Sequence, residues 1–266
     1  LLREGRFDRR VHLRLPDVAD RVAILRLYAK NIQHEDGIDF ERLGRLTAGL
    51  SPAAIAHVVN HAATLAVRHG RARATMPDFV EAVETTHMGE PNGAVRAMTP
   101  EERHRVAVHE AGHAIAAHVL GTGRLEKVTI LPRGGALGVT LVTPAEDRHL
   151  QLKSELENRL VMLLAGRNAE ILALGESSSG AAHDLQEGSR IALAMVGQYG
   201  LGTSGSLFSL AAIENTAVAQ EEMGRAIEEA RRVLADADER CTALLTRYRA
   251  ALDAVVERLL APGCYL

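Results

Sequence analysis

The stretch Thr99-Pro100-Glu101-Glu102-Arg103-His104-Arg105-Val106-Ala107-Val108-His109-Glu110-Ala111-Gly112-His113-Ala114-Ile115-Ala116-Ala117-His118-Val119-Leu120-Gly121 reads as a single helix with both ends marked. Thr99 is an N-cap, Pro100 suits the first helical position, and Glu102 stands at the capping-box spacing from Thr99. Gly121 is the expected stop, so the helix should run from Pro100 to Leu120. Within it, His109-Glu110-Ala111-Gly112-His113 is an H-E-x-x-H sequence. Residues four apart on a helix differ by about 40° around the axis, so the two imidazoles stack on one face and can share one cation. Glu110 lies beside that face.

Neutral imidazole nitrogens suit Zn²⁺, and two of them leave positions for one more protein ligand and a water. The ion would lower the pKa of that water towards about 7, with Glu110 as the base that takes its proton and passes it to the leaving amine. The reaction class is then metal-assisted hydrolysis of an amide. The competing reading is chance, since the chain has 12 histidines and two of them four apart on a helix need not bind anything. Gly112 weighs against chance. Gly in an exposed helix interior costs about 1 kcal/mol relative to Ala, so its presence between the two histidines implies that another backbone packs tightly there.

A third ligand has to come from another segment. On an ideal helix His118 lies about 180° round the axis from His109, and His104 about 140°, so neither joins the pair. The H-E-x-x-H-x-x-G-x-x-H extension also fails, because Ala116 and Val119 occupy its Gly and third His positions. Glu170, Glu176, His183 and Asp184 remain as candidates. His183 and Asp184 rank first, since both precede a new helix after the turn Ser177-Ser178-Ser179-Gly180, but spacing does not choose between them.

Around this centre the composition decides little, and the cysteine usage fits a reducing compartment. The 266 residues suffice for two ordinary domains. Lys and Arg total 31 against 34 for Asp and Glu, a balance that gives no electrostatic reason to expect nucleic acid or a membrane surface. Cys241 and Cys264 are far apart and in no C-x-x-C spacing, which speaks against a disulfide framework or a thiolate zinc site. No apolar run reaches the ~18 residues of a membrane span, and no signal-peptide pattern opens the chain. Its opening Leu1-Leu2-Arg3, without an initiator Met, is expected of a piece of a longer polypeptide.

The first ninety residues read as a short strand and a small helical bundle. Val11, Leu13 and Leu15 alternate before Pro16. Asp17 caps a helix carrying Val22, Ile24, Leu25 and Leu27, and a second holds Phe40, Leu43 and Leu46. A third begins near Ser51-Pro52 and a fourth spans Asp78 to about Thr86. The turn formers of Met88-Gly89-Glu90-Pro91-Asn92-Gly93 mark a linker. After the zinc helix, Lys127 to Pro132 and Val139 to Val142 are rich in β-branched residues and separated by Gly134, Gly135 and Gly138, as in a small antiparallel sheet. Ser154 with Glu157 reads as a capping box opening a helix to about Leu172. Another helix follows Asp184, and Gln220 to Leu260 reads as two more. The fold class is mainly α.

The residues around these sites resemble the FtsH family of AAA+ zinc proteases over nearly the whole chain. Val108-His109-Glu110-Ala111-Gly112-His113-Ala114 resembles the family's zinc helix, Lys127-Val128-Thr129-Ile130 with Pro132-Arg133-Gly134 its substrate-side strand, and Ala165-Gly166-Arg167 with Ala169-Glu170 its next helix. Ser179-Gly180-Ala181 with Asp184-Leu185 resembles the segment that supplies the third zinc ligand, so the resemblance implies His109, His113 and Asp184 as ligands, Glu110 as catalytic base, and Glu170 as a group that orients a ligand. Tyr199-Gly200-Leu201-Gly202 resembles a further signature. Leu2-Arg3 with Gly5-Arg6-Phe7-Asp8-Arg9-Arg10 resembles the end of an ATPase core, which implies that Arg6 and Arg9 are arginine fingers acting on a neighbouring subunit's nucleotide.

By that resemblance residues 1–15 end an AAA+ core, 16–92 form its helical lid, and 99–266 form a mostly helical zinc metallopeptidase domain with a small sheet. It implies an ATP-dependent endopeptidase that degrades unfolded or damaged proteins, with Zn²⁺ in this chain, ATP and Mg²⁺ used only by the full-length protein, and a hexameric ring. The edge near Val128 to Leu131 would pair substrate backbone by strand addition. The implied location is the cytoplasmic face, with any membrane anchor in segments this chain lacks. Departures are also present. No G-x-x-x-x-G-K-[ST] occurs, so ATPase activity is not expected of this chain alone, Glu4 replaces a usual proline, and Ile171 replaces a second acidic residue after Glu170. The alternatives weighed are a ring-forming scaffold with a degenerate zinc site, against which the complete H-E-x-x-H stands, and a simple remodelling ATPase, for which the long segment after the lid is unnecessary.

Overall fold

The computed structural model describes residues 14–89, 98–132, 137–143, 150–204, 207, 209–213 and 218–261. The strand expected from Val11, together with Arg6 and Arg9, lies outside them apart from Arg14 and Leu15, which carry no regular structure. The chain divides into two compact units, residues 1–90 and 91–266.

The first unit is a helical bundle whose starts are written in its caps. Helix α1 (Val18–Ala29) begins where the Asp17 carboxylate accepts from the Asp20 N–H at 2.8 Å. Helix α2 (Phe40–Leu46) is capped by Asp39 and α3 (Pro52–Arg68) by Ser51, with Pro52 in its first turn. Helix α4 runs Met76–Met88, two residues longer at its start than the sequence suggests. The reason is Asp78: its carboxylate accepts from both the N–H and the hydroxyl of Thr75 at 2.8 Å, which makes Thr75 the boundary and Asp78 its partner. Leu25, Leu43, Ile55, Val58 and Phe79 fill the core.

The second unit is built on α5 (Pro100–Leu120), whose two ends fall where the sequence puts them; the Thr99–Glu102 capping box is formed and Gly121 is left-handed with φ 62°. Strands β1 (Arg124–Thr129) and β2 (Val139–Thr143) pair antiparallel, with Val128 opposite Thr140 and a register shift between Leu125 and Lys127. Helix α6 (Lys153–Leu174) has its N-cap at Leu152, and not at Ser154 as the Ser154–Glu157 spacing suggests. Glu155, and not Glu157, reaches back, accepting from the Leu152 N–H at 2.8 Å. Helix α7 (Ala182–Gly197) follows a short turn of 3₁₀ helix, Ser179–Ala181, so Asp184 sits inside its first turn and not before it. Helices α8 (Ala219–Arg247) and α9 (Arg249–Leu260) complete the unit.

The core of this unit lies where α5 packs on α6 and α6 on α8. Ala107, Ala111, Leu160, Ala165, Met195, Cys241 and Leu252 are all buried there. Small residues let α5 and α6 approach closely. A Cβ on Gly112 would run into the Ala165 carbonyl oxygen and come within 2.7 Å of Ala169 Cβ, and one on Gly166 would fall on the His109 ring. The tight neighbour inferred from Gly112 is therefore α6. Among the described residues no helix is long and apolar enough to cross a membrane.

Candidate metal centre

Three side chains from two helices converge on one point. Helix α5 brings His109 and His113, one turn apart, with their rings edge-to-face and centroids at 4.8 Å. The first turn of α7 brings Asp184. His109 Nε2 and His113 Nε2 are 3.1 Å apart, and Asp184 Oδ2 lies 3.3 Å from the first and 3.5 Å from the second. Among the described residues this is the group of His, Cys, Asp and Glu side chains disposed to hold an ion together. A tetrahedral ion with ligand bonds of ~2.0–2.2 Å places its ligand atoms about 3.3–3.6 Å apart, which matches the two Asp184 separations, with the two Nε2 atoms slightly closer than that.

The outward-facing ring atoms set which nitrogen is available. His113 Nδ1 donates to the Met162 carbonyl oxygen at 2.8 Å, and His109 Nδ1 faces Glu170 Oε1, also at 2.8 Å. With both Nδ1 protons committed, both Nε2 atoms present lone pairs to the same point as the Asp184 carboxylate. Three acceptors pointing inward repel unless a proton or a metal ion sits between them. A buried His–carboxylate pairing of this kind also orients metal-binding imidazoles.

The electrostatics favour the same occupant. Burial works against a charge on His109, yet its bonds to Asp184 and Glu170 outweigh burial and push the imidazole up to about 9. Burial would raise Asp184, but the His109 and His113 rings beside it hold it well below the usual carboxylate range. Glu170, 1% exposed, is likewise opposed by burial and carried down to about 2 by His109, Arg105 and Ser178. Its Oε2 accepts from Arg105 Nη1 at 3.0 Å and the Ser178 N–H at 2.7 Å, while Oε1 also takes the Ser178 hydroxyl at 3.1 Å. Two carboxylates held ionised around two imidazoles make a pocket that favours positive charge.

Glu110 is buried at the side of this group, and burial pushes its carboxyl up in spite of His113, Thr140 and His109. The Thr140 hydroxyl of β2 stands 2.6 Å from Glu110 Oε2. The remaining candidates are not brought in. His183 is exposed, Glu176 is 80% exposed beside Arg105 at 3.8 Å, and His104 and His118 lie on other faces of α5. Arg105, Ser178, Met162 and Thr140 carry no motif of their own; only the helix and strand packing brings them to the site.

A family model for peptidase family M41 matches residues 96–263, taking in α5, the sheet and all of the converging side chains. The chain belongs to peptidase family M41. A model of the AAA+ lid domain matches residues 37–81, within the first unit of this M41 chain. Curated relatives agree with both. The chain is 46% identical over 211 residues to an "ATP-dependent zinc metalloprotease FtsH 2" of Symbiobacterium thermophilum, covering 79% of this chain and 36% of that protein. It is 41% identical over 272 residues to an "ATP-dependent zinc metalloprotease FtsH" of Acidothermus cellulolyticus, covering 98% and 41%. To an "ATP-dependent zinc metalloprotease FtsH 3" of Sphaerobacter thermophilus it is 41% identical over 263 residues, covering 98% and 53%. The M41 chain thus spans between about a third and a half of the length of these relatives.

Proposed function

We propose that this chain is the proteolytic part of an ATP-dependent zinc metalloendopeptidase that cleaves unfolded or damaged proteins. The observation that carries the reading is the convergence of His109 Nε2, His113 Nε2 and Asp184 Oδ2 at mutual distances of 3.1, 3.3 and 3.5 Å. These three atoms would hold Zn²⁺, and Glu170 would keep the His109 ring in register through Nδ1. When bound there, zinc supplies Lewis acidity, which polarises an amide carbonyl and brings the pKa of water towards about 7. Glu110 does the proton work. Its carboxylate takes a proton from the attacking water and hands it to the departing amide nitrogen, a general acid–base contribution of about 10²–10⁴-fold. Strand β1 has β2 on one edge, and the segment from Val128 to Leu131 would align substrate backbone beside the site.

On the same reading residues 1–15 end an AAA+ core, 16–92 are its lid and 99–266 are the peptidase domain. The parent protein would use ATP and Mg²⁺ and assemble as a hexameric ring at the cytoplasmic face, with Arg6 and Arg9 reaching the neighbour's nucleotide. The match to the AAA+ lid domain and the printed names of the relatives support this part. Arg6→Ala in the full-length protein should cut ATP hydrolysis by about 10³-fold or more with the ring intact; wild-type hydrolysis would remove Arg6 from that role.

The cleavage reading is tested with Glu110→Gln. The variant should bind zinc as the wild type does and fail to cleave unfolded casein. Normal cleavage by Glu110→Gln would show that another group is the base.

A further inference from the structure

Glu110 stands on a helix, but the group that aims its carboxylate comes from the sheet. Thr140 Oγ1 lies 2.6 Å from Glu110 Oε2 and 3.1 Å from the Glu110 carbonyl oxygen. A hydroxyl has one proton to donate, and 2.6 Å is the separation of a charge-assisted O–H···O⁻ bond, so the proton goes to the carboxylate. The neighbouring Gly138 completes the seat. A Cβ there would come within 2.8 Å of both Glu110 Cγ and Oε1, and within 2.7 Å of Val106 Cγ1, so the backbone of the segment leading into β2 lies flat against the Glu110 side chain. Glu110 is thus gripped on one oxygen by a hydroxyl and on one flank by backbone. Three rotatable torsions separate its oxygens from Cα, and unpinned they would sample many orientations.

We propose that Thr140 is a positioning residue for Glu110, fixing Oε2 and with it the orientation of the carboxylate that takes the proton. The inference rests on the proposed role of Glu110 as base. It has a structural corollary. Thr140 pairs with Val128 in the sheet register, so the strand proposed to align substrate backbone and the residue that aims the base are cross-strand neighbours.

The test compares Thr140→Val, which keeps the shape and deletes the hydroxyl, with Thr140→Ser, which keeps the hydroxyl. Both are made in the zinc-loaded chain, with unfolded casein as substrate and zinc content and melting temperature measured alongside. Thr140→Val should lower kcat by about 10–100-fold with KM within about twofold and zinc per chain unchanged, and Thr140→Ser should recover most of the loss. A crystal structure of Thr140→Val should show the Glu110 carboxylate in a different rotamer. Wild-type kcat in Thr140→Val, an unmoved carboxylate, or a Thr140→Ser variant as impaired as Thr140→Val would each overturn the proposal. If Thr140→Val fails to fold, Thr140→Ala against Thr140→Ser makes the same comparison. A wild-type chain that binds zinc but cleaves nothing would instead defeat the protease reading itself, which keeps the two failures apart.

Discussion

The Nε2 atoms of His109 and His113 stand 3.1 Å apart while each ring's Nδ1 is turned outward, one to Glu170 and one to the Met162 carbonyl. Two imidazole lone pairs facing each other at that distance are stable only with a proton or a metal ion beside them. Asp184, at 3.3 and 3.5 Å from the two nitrogens, makes the metal the better occupant.

The choice between His183 and Asp184 can be made experimentally. Asp184→Asn should weaken zinc binding by at least about 10-fold, because a neutral amide oxygen replaces the anionic ligand. His183→Ala should leave affinity unchanged, since its exposed ring lies outside the group. Competition with a fluorescent zinc chelator reads both, and the reverse pattern would assign the third position to His183.

Glu170 is expected to matter through His109. Glu170→Gln keeps the shape but removes the charge that faces His109 Nδ1 and Arg105. Zinc affinity should fall by about 10–100-fold, with the protein still folded. An unchanged affinity would mean that the His109 ring is held by packing against α6 alone.

Much of this arrangement is legible in the sequence, and the illegible part has a physical reason. The ends of α5 are read from Thr99, Glu102 and Gly121 because caps are local chemistry. The start of α6 is misread because Ser154 with Glu157 and Leu152 with Glu155 offer competing frames. The backbone uses the second, in which only the glutamate contributes. Spacing leaves His183 and Asp184 undecided for a related reason. One residue on a helix is about 100° of rotation, so the answer depends on where α7 begins, and it begins at Ala182, earlier than expected. Thr140 is beyond any local reading, because its contact with Glu110 exists only once the sheet has a register and lies on α5.

Gly112 predicts a packing penalty. Gly112→Ala would drive a methyl into the Ala165 carbonyl of α6, and since the obstacle is backbone, the helices have to separate. Overpacking of this kind costs about 1–3 kcal/mol. Urea unfolding should show it as a lower midpoint at unchanged slope, with zinc affinity reduced as the two helices part. A variant as stable as the wild type would refute the close approach.

The first unit should lose stability in acid through Asp78. Burial would raise this carboxyl, but the Thr75 N–H and hydroxyl, His69 and Arg71 outweigh it and hold Asp78 below its ordinary value. A group depressed in the folded state contributes stability that is full above its unfolded pKa of about 3.9 and is lost as pH falls through the folded value. Hydrogen exchange of α4 amides should therefore accelerate below about pH 4. Asp78→Asn should be less protected at neutral pH and show less of that acid dependence; an identical acid profile in both proteins would exclude Asp78 as its source.

The central claim is that one divalent ion sits among His109, His113 and Asp184. Anomalous diffraction at the zinc edge, from crystals of the chain grown with zinc, tests it directly. The account predicts a single peak within about 2.0–2.2 Å of both Nε2 atoms and of Asp184 Oδ2. A zinc-replete crystal with no peak between the two rings, or with a peak that Asp184 does not reach, would contradict it.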